Sequence, residues 1–148
     1  MAFREGLDDQ GTYYQINKVE GTTPILFIHG VGLDHSIWEP QIKFFREQTT
    51  ITYDLIGHGL STCTLEEVTF EDFSNQIEGL LQILEIQKVI IIGFSLGGLI
   101  AAHFSSTRKN YVLKTILFGT IFNRTEEQKE KYNAIRTRQV VERKSKQT

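Results

Sequence analysis

The clearest candidate for chemistry in this chain is Ser95, which lies in the run G-F-S-L-G-G (93–98) directly after the apolar segment 89–92. A serine in a tight strand-to-helix turn needs neighbours without a Cβ atom, and Gly93 and Gly97 stand two residues away on either side. The following helix would present free amides and a positive dipole end, which suit a negatively charged tetrahedral intermediate. The pattern therefore predicts a nucleophile elbow.

The alternative interpretation of this turn is a glycine-rich loop that binds phosphate or only packs tightly. Its spacing matches neither G-x-G-x-x-G nor the Walker loop, so a nucleotide-binding module is the weaker hypothesis. A second glycine loop, His29-Gly30-Val31-Gly32, follows the apolar segment 24–28 and has the flexibility to turn backbone amides toward a ligand. Such a loop could supply a further donor to the same intermediate.

A third segment, 51–53, runs into D-L-I-G-H-G-L-S at 54–61. Taken in order, the patterns H-G-x-G, D-x-x-G-H-G-x-S and G-x-S-x-G-G resemble those of the α/β-hydrolase family over about residues 11 to 123. The similarity is to the lidded branch with a serine nucleophile, which hydrolyses esters, lactones and related carbonyl compounds.

The resemblance implies a role for each matching residue. Ser95 would attack the carbonyl carbon after a histidine takes its proton, and the backbone amides of Val31 and Leu96 would form the oxyanion hole. The residues implied to support these loops are His29, Gly30, Gly32, Gly93, Gly97 and Gly98. The implied substrate is a small-molecule ester or lactone, and we expect no cofactor and no metal ion.

The triad acid and base are expected to be absent. The family orders its triad as Ser, then Asp or Glu, then His, on loops after later strands. None of the four histidines suits the base: His103 lies about 12 Å along the same predicted helix as Ser95, and the others fall in or near the two glycine turns. We therefore expect an incomplete chain, truncated after about six strands and weakly active or inactive. The alternative is a non-catalytic truncated product or a scaffold that retains the first half of the fold.

Composition favours one ordinary globular domain. The chain has 148 residues, of which 40% are hydrophobic, and it contains no apolar run of membrane-spanning length and no signal-peptide pattern. Its single cysteine, Cys63, cannot form an internal disulfide and is expected in a loop. The predicted location is the cytoplasm, without nucleic-acid or membrane binding.

Charge divides the chain at about residue 123. Residues 1–123 hold eight Lys and Arg against fourteen Asp and Glu, whereas residues 124–148 hold eight against four. We therefore expect an N-terminal part of the hydrolase core at 1–123 and a basic, partly helical tail at 124–148, with a helix capped at Thr125. By the resemblance, this tail begins a lid that is missing.

The elements that must position these residues alternate between strand and helix, which predicts an α/β fold with a doubly wound, mainly parallel sheet. The predicted strands are 12–17, 24–28, 51–54, 89–92 and 112–118, and the predicted helices are 37–48 with a capping box of Ser36 and Glu39, one beginning at Thr69, and 96–106. The sheet should end at an exposed edge, 112–118, through which the chain could self-associate. The aromatic residues predicted to be core are Phe27, Phe44, Phe45, Phe70, Phe73 and Phe104.

Overall fold

The computed structural model describes residues 2–120, 123, 125–131, 133–134, 142 and 146. Six strands form one sheet in the order β1-β2-β4-β3-β5-β6, with three α-helices packed on it. The strands are β1 (Ala2–Leu7), β2 (Tyr13–Lys18), β3 (Ile25–Ile28), β4 (Thr50–Tyr53), β5 (Val89–Phe94) and β6 (Val112–Phe118), and the helices are α1 (Glu39–Phe44), α2 (Phe70–Ile83) and α3 (Leu96–Thr107).

The sheet is parallel from β4 through β3 and β5 to β6, and the antiparallel hairpin β1–β2 is added beside β4. Four-residue strands β3 and β4 are buried along their whole length, as expected for parallel strands covered on both faces. Because β4 lies on one side of β3 and β5 on the other, the strand order reverses at β3. The carboxyl ends of β3 and β5 therefore flank the crevice where open α/β sheets bind ligands.

Helices α2 and α3 cover one face of the sheet and form the larger core, which includes Phe73, Leu80, Ile91 and Phe104. The opposite face carries a smaller cluster around Phe27 and Trp38 under the short helix α1. The predicted mainly parallel, doubly wound α/β sheet is confirmed. The strand predicted at 12–17 is present as β2, and it pairs with β1 in a hairpin.

The helix predicted at 37–48 is present only at Glu39–Phe44, and its predicted Ser36–Glu39 capping box is wrong. The segment is a 3-10 turn at His35–Trp38 followed by the six-residue helix α1, whose first turn contains Pro40. Asp34 caps the turn by accepting from the Ser36 amide and hydroxyl, so the Ser36 side chain is a donor here and caps no helix. A local aspartate has outcompeted the predicted serine cap.

Other helix starts agree with the sequence. Thr69 caps α2 in a reciprocal capping box with Asp72. Thr125 and Gln128 exchange the same pair of bonds before the helical residues 126–131.

Two of the six predicted core aromatics are instead exposed, Phe44 at 81% and Phe70 at 41%. Phe44 is the last residue of α1 and Phe70 the first of α2, where its ring stacks on that of His103.

β6 is one of the two edge strands of the sheet, the other being β1, and its Leu113, Ile116 and Phe118 remain 55%, 44% and 46% exposed. Ile116 and Phe118 share the face that, among the described residues, α1 and the 3-10 turn cover, and the Phe118 ring contacts Trp38 and Phe94 there. The described residues therefore cover this face incompletely. No helix among the described residues is long and apolar enough to cross a membrane.

Candidate active site

Ser95 occupies the junction between β5 and α3, where it is the N-cap residue of the helix. Its backbone has φ 55° and ψ −117°, and Glu85 is the one other described non-glycine residue with positive φ. A side chain in this region is strained and persists only where the surrounding structure determines it fully. Ser95 therefore lies in the strand-to-helix turn that its glycine neighbours predict, and its φ is positive.

The glycines around Ser95 are required by close backbone approach. A Cβ at Gly93 would collide with the carbonyl of Gly97, and a Cβ at Gly97 would collide with the carbonyl oxygens of Ile28 and His29. The elbow is therefore pressed against the end of β3. No larger residue fits at either position without moving backbone.

The loop after β3 lies against Ser95, because a Cβ built at Gly30 would be 3.3 Å from the Ser95 Cβ. On the other side, the first amides of α3 have no acceptor within the helix, and the Ser95 carbonyl already accepts from Gly98 N and Leu99 N. The structure thus brings the 29–32 loop and the start of α3 together around Ser95. The assignment of the Val31 and Leu96 amides as the oxyanion hole stays a prediction.

His29 is fully buried and joins two of these loops. Its Nε2 accepts from the Leu55 amide at 3.0 Å, so that nitrogen carries no proton, and Nδ1 must donate to the Gly30 carbonyl at 2.7 Å. Burial lowers the pKa of this imidazole from 6.5 to about 4, which keeps it neutral. Since Gly30 C=O and Val31 N–H belong to one planar peptide, the ring also fixes the direction of the Val31 amide.

Asp54 directly follows β4 and organises the neighbouring loops. Its buried carboxylate accepts from the His35 amide and Nδ1 and from the Leu60 amide at 2.7–2.8 Å. These bonds make Asp54 a turn-stabilising residue. The ligand atoms of Asp34, His35 and Asp54 also lie within 4.8 Å of one another, but backbone amides already occupy both Asp54 oxygens. The bonds of this cluster therefore hold the neighbouring loops together.

Each histidine side chain is bonded to a group other than Ser95. His35 pairs with Asp54 and its ring contacts Tyr13 of β2, on the far side of β4 from Ser95. His58 Nδ1 bonds to the Ile56 carbonyl, and His103 Nδ1 bonds to the Ser74 hydroxyl on α2. A His–Asp pair therefore exists at His35, at the end of β4 and not at the turn that holds Ser95.

One contact of the elbow was missed by the sequence reasoning. The Ser95 amide donates to the Phe118 carbonyl at 3.1 Å, and the Thr120 hydroxyl lies 3.3 Å from the Ser95 carbonyl. The end of β6 thus contacts the elbow on both sides of Ser95. A threonine two residues after a predicted strand was the available signal, but it becomes informative only when β6 is known to lie beside β5.

Comparison with known proteins gives concordant matches. A family model described as alpha/beta hydrolase fold matches residues 23–143. The (E)-2-((N-methylformamido)methylene)succinate hydrolase of Acinetobacter baylyi is 30% identical over 125 residues, covering 84% of this chain and 47% of that protein. The 3-oxoadipate enol-lactonase 1 of the same organism is 36% identical over 88 residues, covering 59% of this chain and 33% of that protein.

Among solved structures, a carboxylesterase structure from Nitrososphaera gargenis superimposes with a TM-score of 0.78 at 26% identity. That match covers 93% of this chain and 52% of the other. The chain therefore spans about half or less of the length of these relatives.

Proposed function

We propose that this chain, which belongs to the α/β-hydrolase fold family, supplies the nucleophile and oxyanion hole for hydrolysis of a carboxylic ester, lactone or similar carbonyl compound. The observation that carries the proposal is the strained backbone of Ser95 at the N-terminus of α3, beside the glycine loop after β3. Relatives named as an enol-lactonase and as a hydrolase support the same substrate class.

In the proposed reaction, the Ser95 oxygen attacks the carbonyl carbon and loses its proton to a general base. The carbonyl π electrons move onto oxygen, where the Val31 and Leu96 amides donate hydrogen bonds to the developing negative charge. Collapse of this intermediate expels the alcohol, which takes a proton, and leaves an acyl-enzyme. Water then attacks in the same way and releases the acid.

The general base is the part of this machinery that the chain does not provide. The sequence has four histidines, and none of their bonds described above reaches Ser95. A histidine base and its acid would have to come from polypeptide beyond these 148 residues. We propose accordingly that 1–123 is the N-terminal part of a hydrolase core, that 124–148 begins a lid, and that the chain by itself is weakly active or inactive.

The absence of a histidine positioned to take the Ser95 proton favours a second candidate function, a non-catalytic scaffold that retains the first half of the hydrolase fold. In that case Ser95 would keep its geometry for packing alone. The two functions differ in whether any ester or lactone hydrolysis depends on the Ser95 hydroxyl.

The test is incubation of the wild-type chain, Ser95→Ala and Cys63→Ala with short p-nitrophenyl esters and a simple lactone. We expect a low hydrolysis rate in all three proteins, because without a base the remaining acceleration, about 10³ to 10⁴-fold over water, comes from binding and the oxyanion hole. The Ser95 hydroxyl is therefore tested by acylation: the intact mass after long incubation should show an acyl adduct on the wild type and on Cys63→Ala, which removes an exposed thiol, but none on Ser95→Ala. A wild type without an adduct would support the scaffold.

A further inference from the structure

The chain leaves β6 through Gly119, at φ 60°, and this turn places Thr120 against the elbow. The Thr120 hydroxyl lies 3.3 Å from the carbonyl oxygens of both Ser95 and Phe118. These distances are long for a hydroxyl donor, as expected when one proton is shared between two acceptors. The Phe118 carbonyl also accepts from the Ser95 amide, and the Ser95 carbonyl also accepts from Gly98 N and Leu99 N of α3. Residues 118–120 thus hold the peptide groups on both sides of Ser95 from outside the helix.

We propose that Thr120 is a positioning residue that fixes the strained backbone of Ser95 and aims the Leu96 amide. The Ser95 carbonyl and the Leu96 N–H belong to one planar peptide, so a donor that holds the carbonyl also sets the direction of the N–H. Its importance for catalysis rests on the proposed function, in which Leu96 N–H is an oxyanion donor. His29 acts on the Gly30–Val31 peptide in the same way, from the carbonyl side.

Gly98 provides a second observation for the same assignment. A Cβ at Gly98 would collide with the Thr120 hydroxyl and would lie 3.0 Å from the Thr120 Cβ and 3.1 Å from its Cγ2. The threonine side chain therefore fills the space that any side chain at position 98 would need. This fit gives a physical reason for the last glycine of the G-x-S-x-G-G run.

The first test compares Thr120→Val, which keeps the shape and removes the donor, with Thr120→Ser, which keeps the donor. The measurement is the ¹³C shift of the Ser95 carbonyl and the ¹⁵N shift of the Leu96 amide in the full, isotope-labelled chain. We expect Thr120→Val to move the Ser95 carbonyl upfield, as on loss of a hydrogen bond, and Thr120→Ser to leave both signals near their wild-type positions. Unchanged signals in Thr120→Val would overturn the assignment.

The second test remains decisive if Thr120→Val fails to fold. Gly98→Ala should lower the melting temperature by about 5 °C or more in the wild-type chain, because the new Cβ overpacks against Thr120. In a Thr120→Ala background most of the collision is removed, so Gly98→Ala should lower the melting temperature by less than half as much as in the wild-type chain. Equal losses in the two backgrounds would show that the two side-chain positions are independent, which contradicts the proposed fit.

Neither measurement requires ester hydrolysis. If the shifts and the melting temperatures behave as expected while no acyl adduct forms on Ser95, the positioning role stands and the proposed function fails. If Ser95 is acylated but both Thr120 tests are negative, the function stands and the positioning role fails.

Discussion

Protonation of His29 should destabilise the fold, because the neutral ring accepts from the Leu55 amide and a protonated Nε2 cannot. Burial lowers the pKa of His29 from 6.5 to about 4, so the unfolded chain binds more protons than the folded chain between these two values. Stability therefore falls as pH decreases from 6.5 toward 4. A difference of about 2.5 between the two pKa values lowers the free energy of unfolding by roughly 3 kcal/mol from pH 7 to pH 4.

The assay is urea denaturation of the wild type and His29→Gln at several pH values across this window. The glutamine does not titrate, so the wild type should lose about 3 kcal/mol more than the variant between pH 7 and pH 4. Carboxylates also titrate near the lower end; those that do not interact with His29 contribute equally to both proteins and cancel in the difference, whereas Asp34, whose pKa is lowered in part by His29, does not cancel fully. If the free energies of unfolding of the two proteins changed equally with pH, His29 would not be a buried neutral ring that accepts from the Leu55 amide.

A second replacement separates the two bonds of His29. The amide of His29→Gln reaches the position of Nε2 and can still accept from Leu55, whereas the shorter amide of His29→Asn reaches Nδ1 and can donate only to Gly30. The Gly30 carbonyl keeps a second donor, Leu33 N at 3.3 Å, but the buried Leu55 amide would lose its partner. We expect the Asn variant to be less stable than the Gln variant at pH 7 by about 1 kcal/mol or more. The reverse order would contradict the bonding pattern.

Three further outcomes are expected. Gly97→Ala should lower the free energy of unfolding, measured by urea denaturation, by about 3 kcal/mol because its Cβ meets backbone oxygens. Gly6→Ala, with open space around the new methyl, should leave it nearly unchanged. Equal losses in the two variants would contradict the tight turn at Ser95. Thr69→Ala should lower the free energy of unfolding by about 1 kcal/mol because the α2 cap is lost, and an unchanged midpoint of urea denaturation would contradict this. The wild type should self-associate in light scattering through β6, and the pair Ile116→Lys and Phe118→Lys should reduce the association; a monomeric wild type would contradict the exposed edge.

The sheet and the elbow were predictable because their signals are local. The apolar run of β6 has the predicted bounds 112–118, and the glycine spacing around Ser95 is the direct consequence of a tight turn. The segment around Ser36 was not predictable in the same way. There Asp34 and Ser36 are both acceptable caps, and the choice between them depended on where Trp38 packs against β3.

The hydrogen bonds that residues distant in sequence make around Ser95 could not be predicted from the spacing of residue types along the chain. Thr120 is 25 residues from Ser95, and the Leu55 amide is 26 residues from the His29 ring that accepts from it. Such bonds become visible only when the order of the strands is known, because β6 must lie beside β5 and β4 beside β3. The identity of these side chains carries no periodicity that a sequence pattern could detect.

The most direct test of the central claim is a crystal structure of the chain after prolonged exposure to an alkyl fluorophosphonate. The account predicts slow covalent modification of Ser95, with the phosphoryl oxygen about 3 Å from the amide nitrogens of both Val31 and Leu96. It also predicts that φ of Ser95 stays positive in the adduct. An unmodified Ser95, or a phosphoryl oxygen that contacts neither amide, would contradict the assignment of this elbow as a nucleophile with its oxyanion hole.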